Sequence, residues 1–400
     1  MSQPTTQPTS PFEQPDLLRI APVVRNRQAE SPVFRFRTMA GDEAWMITRF
    51  DEAKEFFADP RLTRSHPDPE NAPKVTNSAL LDGSEWGYPD SEAEQQAEAV
   101  MRTVLSKSFS AKRMAELTPR IEALADDLLT TMTSSGSPAD LSELVARPLP
   151  LLVICELLGV PYDERAQFQE WSVAAADPVD AERSRGAFES LYGYMAKLLA
   201  DRRADPAEDV MSDLAAACES AAFTEFQAII IAIGLLFAGH ATTVVAIQWG
   251  VLHLLADPAQ WTALSRDEAL LPAAVEEILR TGLSGGEFLA RYARSDIEIG
   301  GVTIRAGEAV VINVVAANHD PSAFADPDRF DATRSPNPHL AFGHGAHMCV
   351  GRSLARVELR VLFGLLLRRF PSLRLATPPA AIRLNENPVV GGVRELPVAW

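Results

Sequence analysis

Ala341-Phe342-Gly343-His344-Gly345-Ala346-His347-Met348-Cys349-Val350-Gly351-Arg352-Ser353-Leu354-Ala355-Arg356 carries more chemical information than any other run in this 400-residue chain. A lone cysteine stands at the end of a loop with three glycines, directly before a helical pattern. Glycine lets the backbone turn tightly and approach a flat ligand closely, where a Cβ would intrude. At a helix start a thiolate also gains from backbone N–H groups and the positive end of the helix dipole. These are the conditions for a thiolate that binds a metal, not one that seeks a disulfide partner.

Working outward, the composition bounds the answer. Hydrophobic residues make up 46% of the chain, enough for one large core in a single big domain or two unequal ones. The cysteines, Cys155, Cys218 and Cys349, are few, odd in number and far apart, which fits a reducing compartment and excludes a disulfide framework. Residues 1–16 lack a charged and then apolar leader pattern, so a disordered tail is expected and no signal peptide. The longest apolar run, Ala228 to Gly239, is too short to span a bilayer and reads as a buried core helix. A net charge of −17 disfavours nucleic acid and anionic membrane as partners. The expectation is a soluble cytoplasmic protein, and a monomer.

Along the chain, Val33 to Arg37 and Ala44 to Thr48 flank Gly41-Asp42 as a β-hairpin, and Asp51 to Ala58 is a short helix. Pro67 to Pro89 shows no period; a long irregular segment of this kind is a lid, a binding loop or disordered. Helices are expected over Ser91–Ser108, Ala111–Thr133 and Leu149–Leu158, the last with Cys155 on an apolar face. From Glu164 to Arg203 the helical pattern is broken at Asp177-Pro178. Thr224 to Ala256 is the longest helix, apolar all round at its centre and therefore in the core. Ala238-Gly239-His240-Ala241-Thr242-Thr243 interrupts it with poor helix formers, and a threonine hydroxyl there can bond the carbonyl four residues back. Taken alone, that stretch has a packing notch as its alternative reading. Leu271 to Arg280 is helical and puts Glu277 and Arg280 on one face, which by itself is an ordinary ion pair. Ile297 to Val314 reads as short strands, and residues 387–398 as a terminal hairpin whose turn reaches a pocket. Gly351 to Phe370 is a helix with Arg352, Arg356, Arg360, Arg368 and Arg369 against one acid, Glu358: a solvated face or a basic docking patch.

The run 341–356 resembles, nearly letter for letter, the haem-binding loop of the cytochrome P450 family, F-G-x-G-x-H-x-C-x-G-x-x-L-A-R. The resemblance extends over residues 17–400 and implies one domain of the P450 fold, mainly α with a small β-rich region. It implies haem b with the Cys349 thiolate on iron, pushing electron density that favours O–O cleavage. Phe342, Gly343 and Gly351 would shape the loop around the cofactor. His347, Arg291 and Arg102 match the family's propionate donors, guanidinium being suited to bidentate carboxylate binding. Glu98 stands where the family carries a histidine, so that contact is a departure, and Glu98 is expected to point elsewhere or to bond through Arg102. Glu277 and Arg280 match the buttress of the haem loop, its third partner being Arg329 or Arg334. Residues 238–243 resemble the oxygen-activation segment, normally A-G-x-[D/E]-T-T. There Ala238, Gly239 and Thr242 match, Thr242 as the hydroxyl that bonds bound oxygen and orders water. Ala241 occupies the acid position. Protons must then travel by Thr242 and water, another side chain or the substrate; His240 lies on a different helix face. Ser284 to Leu289 would face substrate.

The implied activity is a monooxygenase that inserts one atom of dioxygen into a small hydrophobic substrate, tailoring a natural product such as a polyketide, macrolide or peptide. Ferredoxin, a ferredoxin reductase and NAD(P)H are the implied partners. The alternative is a haem-thiolate reductase of the nitric-oxide-reductase kind or a peroxide-fed enzyme, both motivated by Ala241. A haem-containing binder without catalysis is the third possibility.

Overall fold

The structure is a computed structural model that describes residues 16–66, 68–76, 78, 91–177, 180–282, 290–385 and 391–400. The helices among them are α1 (Pro22–Glu30), α2 (Phe50–Ala58), α3 (Ser91–Ser108), α4 (Ala111–Ser134), α5 (Pro148–Leu158), α6 (Arg165–Ala175) and α7 (Ala181–Ala204). They continue with α8 (Val210–Glu219), α9 (Glu225–Ala256), α10 (Pro258–Arg266), α11 (Leu271–Thr281), α12 (Val314–Asn318) and α13 (Arg352–Arg369). The strands are β1 (Val33–Arg37), β2 (Glu43–Ile47), β3 (Leu62–Thr63), β4 (Ala139–Asp140), β5 (Ala290–Ala293), β6 (Ile297–Ile299), β7 (Val302–Ile304), β8 (Ala309–Ile312), β9 (Arg374–Leu375) and β10 (Pro397–Ala399).

The expected hairpin forms: β1 pairs antiparallel with β2, Val33 opposite Ile47 and Arg37 opposite Glu43, and Gly41 turns between them at φ +97°. It is one edge of a five-stranded sheet in the order β1-β2-β8-β5-β3, in which β2 and β8 run parallel. Ile47, Val310 and Ile312 from its centre pack with Phe50, Phe56 and Phe57 of α2 in a satellite core. The main core gathers α4, α5, α7, α8, α9, α11 and α13 around residues such as Leu129, Leu149, Ile247, Trp249 and Phe363.

Helix α9 starts at a capping box: Thr224 Oγ1 accepts from Gln227 N (3.2 Å) and Gln227 Oε1 accepts from Thr224 N (3.0 Å). Its length and composition suffice to cross a bilayer, beyond what the run 228–239 suggests, but 67% of its most apolar window is buried inside the protein. That is the character of a core helix, which the all-round apolar pattern predicts.

One expectation needs correction: residue 314 opens α12 and does not belong to the strand region. The terminal strand β10 pairs with β4 and β9, and residues 387–390 of the expected hairpin lie outside the described residues. An isolated antiparallel bridge, Leu384 to Val393, is what the described part of that hairpin contributes. Of Pro67–Pro89, residues 68–76 and 78 are described and include a 3-10 turn at Pro69–Asn71; Ser284–Leu289 lies wholly outside the described residues.

Candidate haem site

The loop 341–351 is drawn closed by Cys349 N donating to Phe342 O at 2.8 Å, with Gly343 and Gly345 at φ +70° and +69°. Only glycine takes that left-handed conformation without strain. Beyond Cys349 the chain enters α13, capped by Gly351. The backbone N–H groups of Gly351 and Arg352 lie beside the Cys349 sulfur and favour its thiolate. Burial raises the Cys349 thiol above its ordinary pKa, and those N–H groups with the charges of Arg352 and Arg102 oppose it. The residue is nevertheless exposed. Cys155, in contrast, is wholly buried and pushed up to about 12 by burial, which makes it inert.

Two adjacent acids on α11 hold this loop. Glu277 and Arg280 are both fully buried and meet bidentately, Arg280 Nε to Oε2 at 2.7 Å and Nη2 to Oε1 at 2.8 Å. Of the two candidates for third partner it is Arg334, whose Nε donates to both Glu277 oxygens at 3.1 Å. Arg329 contributes its carbonyl instead, accepting from Arg280 and Arg334. Asn337 Nδ2 and Asp331 N complete the acceptor sites of Glu277 at 3.0 and 2.9 Å. Glu276, not singled out in the sequence, takes Arg356 bidentately at 2.7 Å and His339 Nε2 at 3.1 Å. Both of those partners flank Phe342: Arg356 over its ring at 4.6 Å, His339 with ring centroids 6.0 Å apart. Burial would raise the Glu276 carboxyl, but Arg356 and His339 outweigh it and hold it at about 2. The signal available in the sequence was the doublet itself, since neighbouring helical residues point about 100° apart and so grip different segments.

At the other end of the loop, Arg102 Nη1 donates to Met348 O at 3.0 Å, beside Cys349. Its Nε and Nη2 donate to Glu98 Oε1 at 3.3 and 3.1 Å. His347 Nδ1 also reaches Glu98, 2.7 Å from Oε2. Glu98 therefore does bond through Arg102, as expected, and gathers His347 as well. Burial works to raise the Glu98 carboxyl, while the His347 hydrogen bond and the charges of His347, Arg64 and Arg102 hold it at about 2. Arg291 is buried at 8% exposure, and among the described residues its guanidinium makes one hydrogen bond, Nη1 to Ala290 O at 3.0 Å. Burial drives it down to about 9, helped by Arg64 and opposed by Glu94 and Glu98. A buried guanidinium short of an anion is costly, so the site fits a carboxylate ligand with two oxygens.

On α9, Ala238 and Thr242 are exposed and Leu235, Gly239 and Ala246 half-exposed, in the middle of a helix otherwise buried. Their spacing puts all five on one face. Thr242 Oγ1 donates to Ala238 O at 2.7 Å, the back-bond read from the sequence. Gly239 has a packing role too: a Cβ there would stand 2.8 Å from Ile154 Cδ1 of α5. Ala241 is buried at 6% exposure. His240 sits on the opposite side, buried, its Nε2 without a hydrogen-bond partner among the described residues, and burial pushes it down to about 4, so it is neutral and away from Thr242.

The basic face of α13 is thinner than expected. Arg356 is committed to Glu276, Arg368 to Glu268 at 3.2 Å and Arg369 to Asp126 at 2.6 Å. Glu358 is not on that face at all; it is 1% exposed, and burial raises its carboxyl far above the ordinary value, so it is neutral.

A helical body, a cysteine loop buttressed by a buried Glu–Arg–Arg cluster and a threonine-notched core helix define a haem-thiolate oxygenase. Comparison agrees. The cytochrome P450 family model matches residues 176–377. The chain is 41% identical to pentalenolactone synthase of Streptomyces exfoliatus, covering 98% of this chain and 99% of that one. It is 38% identical to mycinamicin IV hydroxylase/epoxidase of Micromonospora griseorubida, covering 98% of each. The structure of the substrate-free pimaricin epoxidase PimD, a P450 for a polyene macrolide antibiotic, superposes with a TM-score of 0.86 at 38% identity, over 99% of this chain and all of that one. The putative thioether synthase SgvP, from the tailoring of griseoviridin, gives 0.89 at 34%, over 98% and 99%. The chain belongs to the cytochrome P450 family; it is a monooxygenase whose cofactor is haem with an axial cysteine thiolate.

Proposed function

We propose that this enzyme oxygenates a small, mainly hydrophobic natural product, a polyketide, macrolide or peptide, with Cys349 as the iron ligand. The observation that carries the reading is Cys349, an exposed residue at the end of a glycine loop, with the backbone N–H groups of Gly351 and Arg352 beside its sulfur at the start of α13. Support for the substrate class comes from full-length similarity to pentalenolactone synthase, mycinamicin IV hydroxylase/epoxidase and pimaricin epoxidase. The bound haem supplies electron transfer to dioxygen and O–O cleavage. This chain's residues do the rest. Arg291, Arg102 and His347 hold the propionates; Phe342, Gly343 and Gly351 shape the loop; Ala238 leaves room beside the cofactor. Thr242 presents its hydroxyl at the oxygen side and holds ordered water, with Gly239 and Ala241 beside it. No carboxylate follows Ala241's position, so water and substrate groups carry the proton.

The electrons come from a ferredoxin, its reductase and NAD(P)H, with Arg352 and Arg360 as the docking cations that have no acidic partner among the described residues. The enzyme acts in the cytoplasm as a monomer. The test is a substrate-binding difference spectrum across candidate metabolites, followed by turnover with ferredoxin, reductase and NAD(P)H. Consumption of substrate and dioxygen is expected, and inertness across a broad panel overturns the reading. The reductase alternative predicts rapid direct reduction of the ferric–NO form by NADH; no fast reaction is expected.

A further inference from the structure

The family's propionate-contacting histidine is replaced here by a carboxylate that does not swing away. Glu98 holds the very donors a propionate needs: Arg102 through Nε and Nη2, and His347 through Nδ1. Its neighbour one turn earlier, Glu94, is spent elsewhere, accepting from Arg64 N, Ser65 N and Ser65 Oγ at 2.9, 3.0 and 2.7 Å. Glu98 is thus the carboxylate of α3 that holds these donors, 13% exposed and ionised at neutral pH.

We propose that Glu98 is a positioning residue that aligns Arg102 and His347, competes with the haem propionate for their N–H groups, and lowers the haem's reduction potential. The inference rests on the haem site proposed above. Each N–H serves one acceptor well, so a propionate reaching these donors meets a second carboxylate at close range, and like charges repel. The ferric-to-ferrous step adds one electron and no proton, lowering the net charge of the haem by one. A fixed anion beside it disfavours that step, the more so in a poorly solvated pocket. Arg291, whose guanidinium no described carboxylate reaches, is left as the propionate clamp without a competitor.

The experiment compares wild-type holoenzyme with E98Q, which keeps the side chain's size and an acceptor oxygen but not the charge. E98D keeps the charge, and E98H places the family's residue. Reduction potentials are read by equilibrium titration with dithionite and mediators, and haem loss by transfer to excess apomyoglobin. E98Q and E98H are expected to shift the potential upward and to lose haem three- to tenfold more slowly, while E98D stays near wild type. An unchanged or lowered potential in E98Q, or unchanged or faster haem loss, failure to hold haem included, overturns the proposal; if E98Q does not fold, the same readings on E98H decide it. The wild-type reduced CO complex separates the two levels of failure. If it lacks the thiolate band, the haem reading itself fails; if the band is present and the potentials do not move, only the role of Glu98 falls.

Discussion

The loop at 341–351 and the central turn of α9 are fixed by different forces. Around the loop, two fully buried or half-buried acids satisfy almost every donor in reach. Glu277 alone accepts from Arg280, Arg334, Asn337 and Asp331, and all five N–H groups of Arg280 have acceptors, Asn318 O and Pro327 O included. On the exposed face of the α9 turn, among the described residues, the side-chain hydrogen bond is a threonine bonded to its own helix, on a scaffold of apolar packing. The difference teaches which side must be rigid. A ligand held through one sulfur needs that sulfur placed within fractions of an ångström. In the proposed haem site the α9 face would admit substrate, dioxygen and water, with the Thr242 hydroxyl on a local tether that can be exchanged.

Substitutions on the two sides should therefore fail differently. The largest effect belongs to Cys349→Ala, expected to abolish the thiolate band of the reduced CO complex; survival of the band would end the comparison at once. Next, Glu277→Ala leaves Arg280 buried without its anion and should cost about 3–5 kcal/mol, read from the denaturant midpoint together with haem loss. Near-wild-type stability would show that the loop stands without its buttress. Third is pH. Glu98 and Glu276 are both held at about 2 against an ordinary 4.5. A depressed carboxyl stabilises the fold above its unfolded value and loses that contribution as pH falls through its folded one. Stability should thus decline between pH 4.5 and 2, and Glu276→Gln should flatten part of that decline; identical acid profiles count against the ion pairs. Fourth, Thr242→Val should cost no more than about 1 kcal/mol of stability, the worth of one hydrogen bond. It should cut coupling of dioxygen to product by at least about 100-fold if the hydroxyl manages proton transfer. Smallest is Ala241→Glu, expected to raise coupling modestly while leaving haem retention unchanged.

Much of the loop side was legible because its chemistry is local. The cysteine, the glycines, the E-x-x-R pair and the ends of α3, α5 and α9 each follow from spacing or caps. What was not legible depends on how distant segments meet. Arg329 and Arg334 lie in one turn, and only the fold decides that one offers a carbonyl and the other a guanidinium. Glu358 reads as a surface acid by type, yet it sits four residues from both Leu354 and Leu362, on the buried face of α13. The partners of β10 lie 258 residues away at β4 and 23 away at β9, and no local pattern encodes such pairings. Glu98 was visible as a departure from the family pattern; that it would claim His347 required the two segments in place.

The doublet Glu276-Glu277 has one more consequence. One carboxylate grips residues 331, 334 and 337, the other 339 and 356, so a single helical step ties together a span that otherwise has little regular structure. Neither grip can open by rotation of α11 without loosening the other. Residues 327–356 should accordingly exchange their amide hydrogens as one cooperative unit with α11, opening together and not fraying from the loop inward.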